Sequence, residues 1–75
     1  VARHGVGPEE VEELVHHNPI FVRRVGQDRY RVIGRTDAGR VLTVFVDRWY
    51  PVFRVVTARD ATVVERRMYT RHTQR

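Results

Sequence analysis

The sequence predicts an α+β domain in which an N-terminal helix, a four-stranded antiparallel sheet and a C-terminal helix follow one another along the chain. Three observations predict it. Apolar residues recur at helical spacing near the N-terminus, the period then changes to that of strands with short turn-forming breaks, and a capping pattern opens a last helical segment. At 75 residues the chain is one domain with a small core, because separate cores rarely form below roughly 100 residues. Its hydrophobic fraction of 41% is spread along the whole length, which fits a folded chain better than a disordered tail.

Gly7 and Pro8 followed by Glu9 and Glu10 read as a helix start, since proline suits the first turn and acids favour the positive end of the dipole. Val11, Leu14 and Val15 supply the apolar stripe. Asn18 and Pro19 end it, because the residue before proline is driven out of the helical region, and a helix over 8–17 follows. The runs 20–25, 29–34, 40–46 and 52–57 are rich in valine and aromatics, with breaks at 26–28, 36–39 and 47–51. Connections this short join antiparallel neighbours into a meander. Strict alternation in the fourth run puts Phe53, Val55 and Thr57 on one face and Val52, Arg54 and Val56 on the other. One face can then cover a helix while the other carries Arg54. Thr62 and Glu65 have the spacing of a capping box, which predicts a second helix over 63–71. On it Val64 and Met68 sit one turn apart, and Arg66, Arg67 and Arg71 crowd the half where cations favour the dipole. Residues 72–75 read as a frayed end.

The absence of cysteine excludes a disulfide framework, a thiolate metal site and a cysteine nucleophile. No apolar run approaches the roughly 20 residues needed to span a bilayer, and the N-terminus lacks a signal-peptide stretch. A cytoplasmic location and no membrane partner are therefore expected. His16 and His17 are adjacent, which puts them on different helix faces, and no carboxylate cluster joins them, so no metal site is expected. No phosphate-cradling glycine loop or dinucleotide fingerprint is present, and no cofactor is implied. Charge is the informative feature. Residues 1–22 hold one arginine against four glutamates, whereas residues 23–75 hold 13 arginines against five carboxylates. Every basic residue counted here is arginine, whose planar fork of donors suits phosphate. A basic surface for RNA or for an acidic partner protein is one reading, and a solvated arginine-rich surface is the other.

The segments Arg29-Tyr30 with Ile33-Gly34-Arg35-Thr36, Gly39-Arg40-Val41-Leu42, and Val56-Thr57-Ala58-Arg59-Asp60-Ala61-Thr62 followed by Glu65-Arg66 and Tyr69 resemble the BrnT family of type II toxins. Arg3-His4-Gly5-Val6 with Glu9-Glu10-Val11 is similar to that family's early pattern. The resemblance runs from His4 to Tyr69, and its most specific part is the succession of Thr-Ala-Arg, Ala-Thr, Glu-Arg and Tyr. It implies a RelE-like fold and a metal-independent ribonuclease that inhibits translation, neutralised by a cognate antitoxin. A homodimer and a toxin–antitoxin heterotetramer are the assemblies it leaves open. The family usually begins with a further strand and helix, so a trimmed chain or a shortened variant is expected here. Edges bared by that shortening would favour dimerisation or an antitoxin that completes the fold. Many members also carry a histidine before the second strand, where this chain has residues 23–28 without one.

Carried over residue by residue, Arg59 and Arg54 are the candidates for holding the scissile phosphate. Arg59 could instead pair with Asp60 or Glu65 to fix the helix start, and Arg54 could be a solvated strand residue. Arg35 and Arg40 flank the second turn and could track an RNA backbone, with Arg66 and Arg67 on the last helix. Tyr69 could stack on a base or donate a proton, or anchor the last helix to the sheet. His4 titrates near neutrality and could be a general base, or could cap or pack beneath the first helix. Glu65 could be a base, although the capping box already accounts for it. The missing base favours a second hypothesis, a non-catalytic module that binds nucleic acid or a partner. A third is an α+β interaction domain with no nucleic-acid role.

Overall fold

The computed structural model describes residues 5–16, 19–49 and 51–74, apart from the Val15 side chain. Along the chain lie α1 (Pro8–His16), β1 (Ile20–Arg24), β2 (Arg29–Arg35), β3 (Val41–Trp49), β4 (Val52–Asp60) and α2 (Val63–Thr73). The strands form one antiparallel sheet in the order β1-β2-β3-β4. Helix, meander and helix follow in the predicted order. Among the described residues no helix is long and apolar enough to cross a membrane.

At the start of α1 the Gly7 amide donates to Glu10 Oε1 at 3.1 Å, so an acid one turn on supplies an acceptor that the helix end lacks. The inward residue Leu14 is fully buried and joins Val6, Leu42, Val44 and Ala58 in the core, with Val11, Val32, Val46 and Val55 around them. The helix sits close to β2 because residue 34 is glycine. A Cβ there would lie 2.7 Å from Leu14 Cγ and 3.1 Å from Ile20 Cγ2. The β2–β3 turn closes through Gly39, whose φ of +94° lets its amide reach the Thr36 carbonyl at 2.9 Å.

The β3–β4 hairpin is longer than the sequence suggests. Residues 47–49 are strand rather than break: Asp47 pairs with Arg54, Arg48 with Phe53 and Trp49 with Val52. The cause is the partners these residues find, since Asp47 takes the Arg29 fork and Trp49 lies under Arg54. At the other end β4 runs on past Thr57 to Asp60. Between these ends Phe45 pairs with Thr57 but Val46 pairs with Val55, so Val56 is an extra residue, a bulge. The bulge overturns the strict alternation expected for this strand. Phe53 and Val55 share the α1 face with Val46, while Thr57 and Arg59 lie with Phe45 and Thr43 on the other. Arg54, opposite Asp47, then lies on the same face as Arg59 although an odd number of positions separates them.

Helix α2 packs over β1 and β2 on the face opposite α1. Thr62 caps it, Glu65 returns to the Thr62 amide, and the predicted capping box is complete. That geometry turns Glu65 inward, and Tyr69 follows it one turn later. Among the described residues of α2 these two are the buried ones, whereas Val64, one turn before Met68, is 63% exposed. The helix continues through His72, expected to fray, whose ring meets Phe21 edge-on at 5.0 Å.

Gly34→Ala places a methyl group against a fully buried Leu14 and should destabilise the fold by about 1–3 kcal/mol. Urea denaturation of the variant checks this; an unchanged midpoint would show that α1 does not seat on β2 as described.

Candidate nucleic-acid interface

Because α2 lies over β1 and β2, the β3–β4 half of its face is left uncovered. There the hairpin sets two guanidinium–aromatic pairs side by side along the strands. Arg54 lies over the Trp49 ring at 5.2 Å and Arg59 over the Phe45 ring at 5.5 Å. Each cation is attracted to its ring face; Arg59 directs its Nη1 and Nη2 donors inward to Glu65, whereas Arg54 makes no ion pair among those described. Trp49 is 59% exposed, an expensive position for an indole with no ligand. Beside them Arg29 forks onto Asp47 at 2.6 and 3.0 Å, and that bond holds the Asp47 carboxyl below the usual carboxylate range.

The buried end of this face is organised around Glu65. Its carboxylate accepts from Arg59 Nη1 at 2.8 Å and Nη2 at 3.0 Å, from Thr43 Oγ1 at 2.8 Å and from the Thr62 amide at 2.9 Å. Arg31 Nη1 stands 3.7 Å away, its Nη2 reaches Met68 Sδ at 3.9 Å, and its buried Nε has no hydrogen-bond partner. Burial pushes the Glu65 carboxyl up, but the hydrogen bonds from Arg59, the Thr62 amide and Thr43, with the Arg59 charge, hold it at about 2. A carboxylate so occupied accepts hydrogen bonds and does not take protons near neutrality.

The structure brings together some of the residues singled out in the sequence and separates others. Arg54, Arg59 and Glu65 share one face, with Glu65 in the capping role and Arg59 paired to it. Arg40 belongs to the other side, where it bonds Asp60 at 2.7 Å, the Gly5 carbonyl at 3.1 Å and Glu10 at 3.2 Å, tying α1 to the sheet. The Arg40 bond and the nearby Arg66 charge hold Asp60 below the usual range. Arg35 ends β2 in an exposed position. Arg66 and Arg67 line the outward side of α2 with Val63, Thr70 and Arg71. Tyr69 is buried, and its hydroxyl donates to the Pro19 carbonyl at 3.0 Å, so it anchors α2 to the sheet's edge. His4 and His17 lie outside the described residues. Among the described residues no group of three His, Cys, Asp or Glu side chains could hold a metal ion.

Phe45, Trp49 and Arg31 are the members of this face that sequence reasoning did not single out. The signal for the aromatics is their spacing, two strand repeats apart and hence on one face, but it is visible only once residue 49 is known to be strand. With this geometry in hand, comparison with protein-family models, curated proteins and solved structures finds no match to the chain.

Two predictions follow from the Glu65 cluster. The folded carboxyl titrates below its unfolded value, so its contribution, up to about 3 kcal/mol, is complete above pH 4.5 and lost as the pH falls towards 2. Thermal melts of wild type should drop over that window while Glu65→Gln gives a flatter profile, and parallel profiles would count against the cluster. Arg59→Ala removes the bidentate partner of a buried anion and should cost about 2 kcal/mol, allowing for the one-third exposure of Arg59. Arg54→Ala should leave the urea midpoint nearly unchanged.

Proposed function

We propose that this chain is a BrnT-like, RNA-binding protein that takes single-stranded RNA along its uncovered β3–β4 face. The observation that carries this reading is the pair of guanidinium–aromatic stacks on one face, Arg54 on Trp49 and Arg59 on Phe45. Single strands offer unstacked bases to exposed aromatic rings and phosphates to the guanidinium edges. The resemblance to BrnT toxins supplies the class of nucleic acid, and the arginine excess of residues 23–75 supplies the field that draws it in. The cytoplasm, where such RNA is met, is the compartment this reading implies.

A second reading adds cleavage. In it the chain is a metal-independent ribonuclease that inhibits translation and is covered by a cognate antitoxin. The bulge at Val56 favours it, because it puts Arg54 and Arg59, the two arginines the resemblance assigns to the scissile phosphate, on one face. Cleavage also needs a group that exchanges protons near neutrality. Asp47 and Glu65 are held as anions and the Tyr69 hydroxyl is spent on a carbonyl. Binding is therefore the function that the geometry of the described residues supports best, His4 lying outside them.

The test is fluorescence anisotropy with a labelled single-stranded RNA in excess EDTA, followed by a gel that reads the length of the RNA. Wild type should bind with an affinity that falls steeply with salt, and Trp49→Ala and Arg54→Ala should each weaken binding about tenfold with the RNA intact. Undiminished binding by both variants would remove the assignment of this face. RNA shortened by wild type and left whole by Arg54→Ala would establish the second reading.

A further inference from the structure

Glu65 leaves one of its neighbours short of partners. Arg31 lies on β2, which α2 packs against, and its side chain is only 22% exposed. Its Nε is buried with no hydrogen-bond partner. Its Nη1 stands 3.7 Å from a Glu65 carboxylate that already accepts from Arg59, Thr43 and the Thr62 amide. Among the described contacts, the acceptor for its Nη2 is the Met68 sulfur, at 3.9 Å. A thioether accepts weakly, so a largely buried cation is poorly answered.

Met68 is the single methionine of a chain without cysteine, so its thioether is the one sulfur that a peroxide can oxidise. It is half-buried, and it stands apart from the apolar cluster of Val6, Leu14, Leu42, Val44 and Ala58. Where a methionine is packed among apolar groups, its sulfoxide is a polar intruder that disrupts the core. Beside Met68 stands a guanidinium with donors to spare, which reverses the sign of that effect. The 3.9 Å separation leaves room for an oxygen on the sulfur to lie within hydrogen-bond reach of Nη2.

We propose that Met68 is a site of reversible oxidation by hydrogen peroxide or an organic hydroperoxide, and that Arg31 receives its sulfoxide. The sulfur lone pair attacks one peroxide oxygen. An S–O bond forms as the O–O bond breaks, sulfur gives up two electrons, and the peroxide proton passes to the departing oxygen, which leaves as water or an alcohol. A methionine sulfoxide reductase restores the thioether: two thiols become a disulfide and the oxygen leaves as water. The sulfoxide oxygen is a strong acceptor, and its bond from Arg31 is charge-assisted. It joins α2 to β2 beside the Glu65 cluster, so oxidation tightens the seat of the helix instead of loosening it. This device sits under α2 and does not depend on RNA binding.

The test is treatment of the purified chain with dilute hydrogen peroxide, read by mass spectrometry and thermal melts. Wild type should gain one oxygen on the tryptic peptide 68–71, and its melting temperature should rise by roughly 4 °C. Sulfoxide reductase with a dithiol should return both to their starting values. Met68→Leu should show neither change. Arg31→Leu should still take up the oxygen but melt lower for it. Met68→Gln supplies a carbonyl acceptor without oxidation and should melt above reduced wild type, which tests the receptor even where Arg31→Leu does not fold. A melting temperature that falls when wild type is oxidised, or a rise that survives in Arg31→Leu, overturns the proposal. So does a sulfur that reacts only in urea, or a Met68→Gln variant that melts below reduced wild type.

Discussion

The carboxylate of Glu65 is the point at which four elements are tied together. It caps α2 through the Thr62 amide, takes the Arg59 fork from β4 and the Thr43 hydroxyl from β3, and has Arg31 of β2 alongside. A buried anion is costly unless its lone pairs are answered, and here the donors come from two strands and a helix start, with the Arg31 charge of a third strand beside them. An apolar residue at this position could hold α2 against the sheet but could not fix where along the sheet the helix begins. By fixing it, Glu65 places α2 over β1 and β2 and leaves β3 and β4 open.

Arginine does several kinds of work in this small domain. Arg40 and Arg59 are structural ties that join α1 and α2 to the sheet, and Arg29 braces the hairpin through Asp47. Arg54 is neutralised by no carboxylate partner at bonding distance in the described ion pairs and rests on a tryptophan instead. The excess of arginine in the sequence therefore does not map onto one surface. Those that pair with carboxylates, Arg59 among them, set the scaffold, whereas Arg54 lies on a ring with no such pair among those described.

The element order was legible in the sequence because each signal was local. The change of period at Ile20, the short breaks and the Thr62–Glu65 spacing all depend on neighbouring residues. What stayed illegible depends on residues far along the chain. The strand character of Asp47 comes from Arg29, and the bulge at Val56 comes from the register against Phe45 and Val46. The inward side of α2 is not visible in its apolar residues, because a charged residue with a set of partners from the sheet, Glu65, is buried there while Val64 is exposed. Of the candidate site, Arg54 and Arg59 were readable as arginines near one another in sequence. Their common face was not, because alternation alone separates them.

The extra residue at Val56 makes the hairpin tip a phase-shifted segment of its strand. Straightening the strand with every residue kept would slip the tip by one place against β3, and would trade the side chains of positions 53 to 55 between the two surfaces of the sheet. Phe53 would turn towards the arginine stacks and Arg54 towards the valines behind them. Loss of Val56 would instead leave those side chains where they are, so the irregularity absorbs one extra residue and keeps the charged side of the molecule distinct from the oily one.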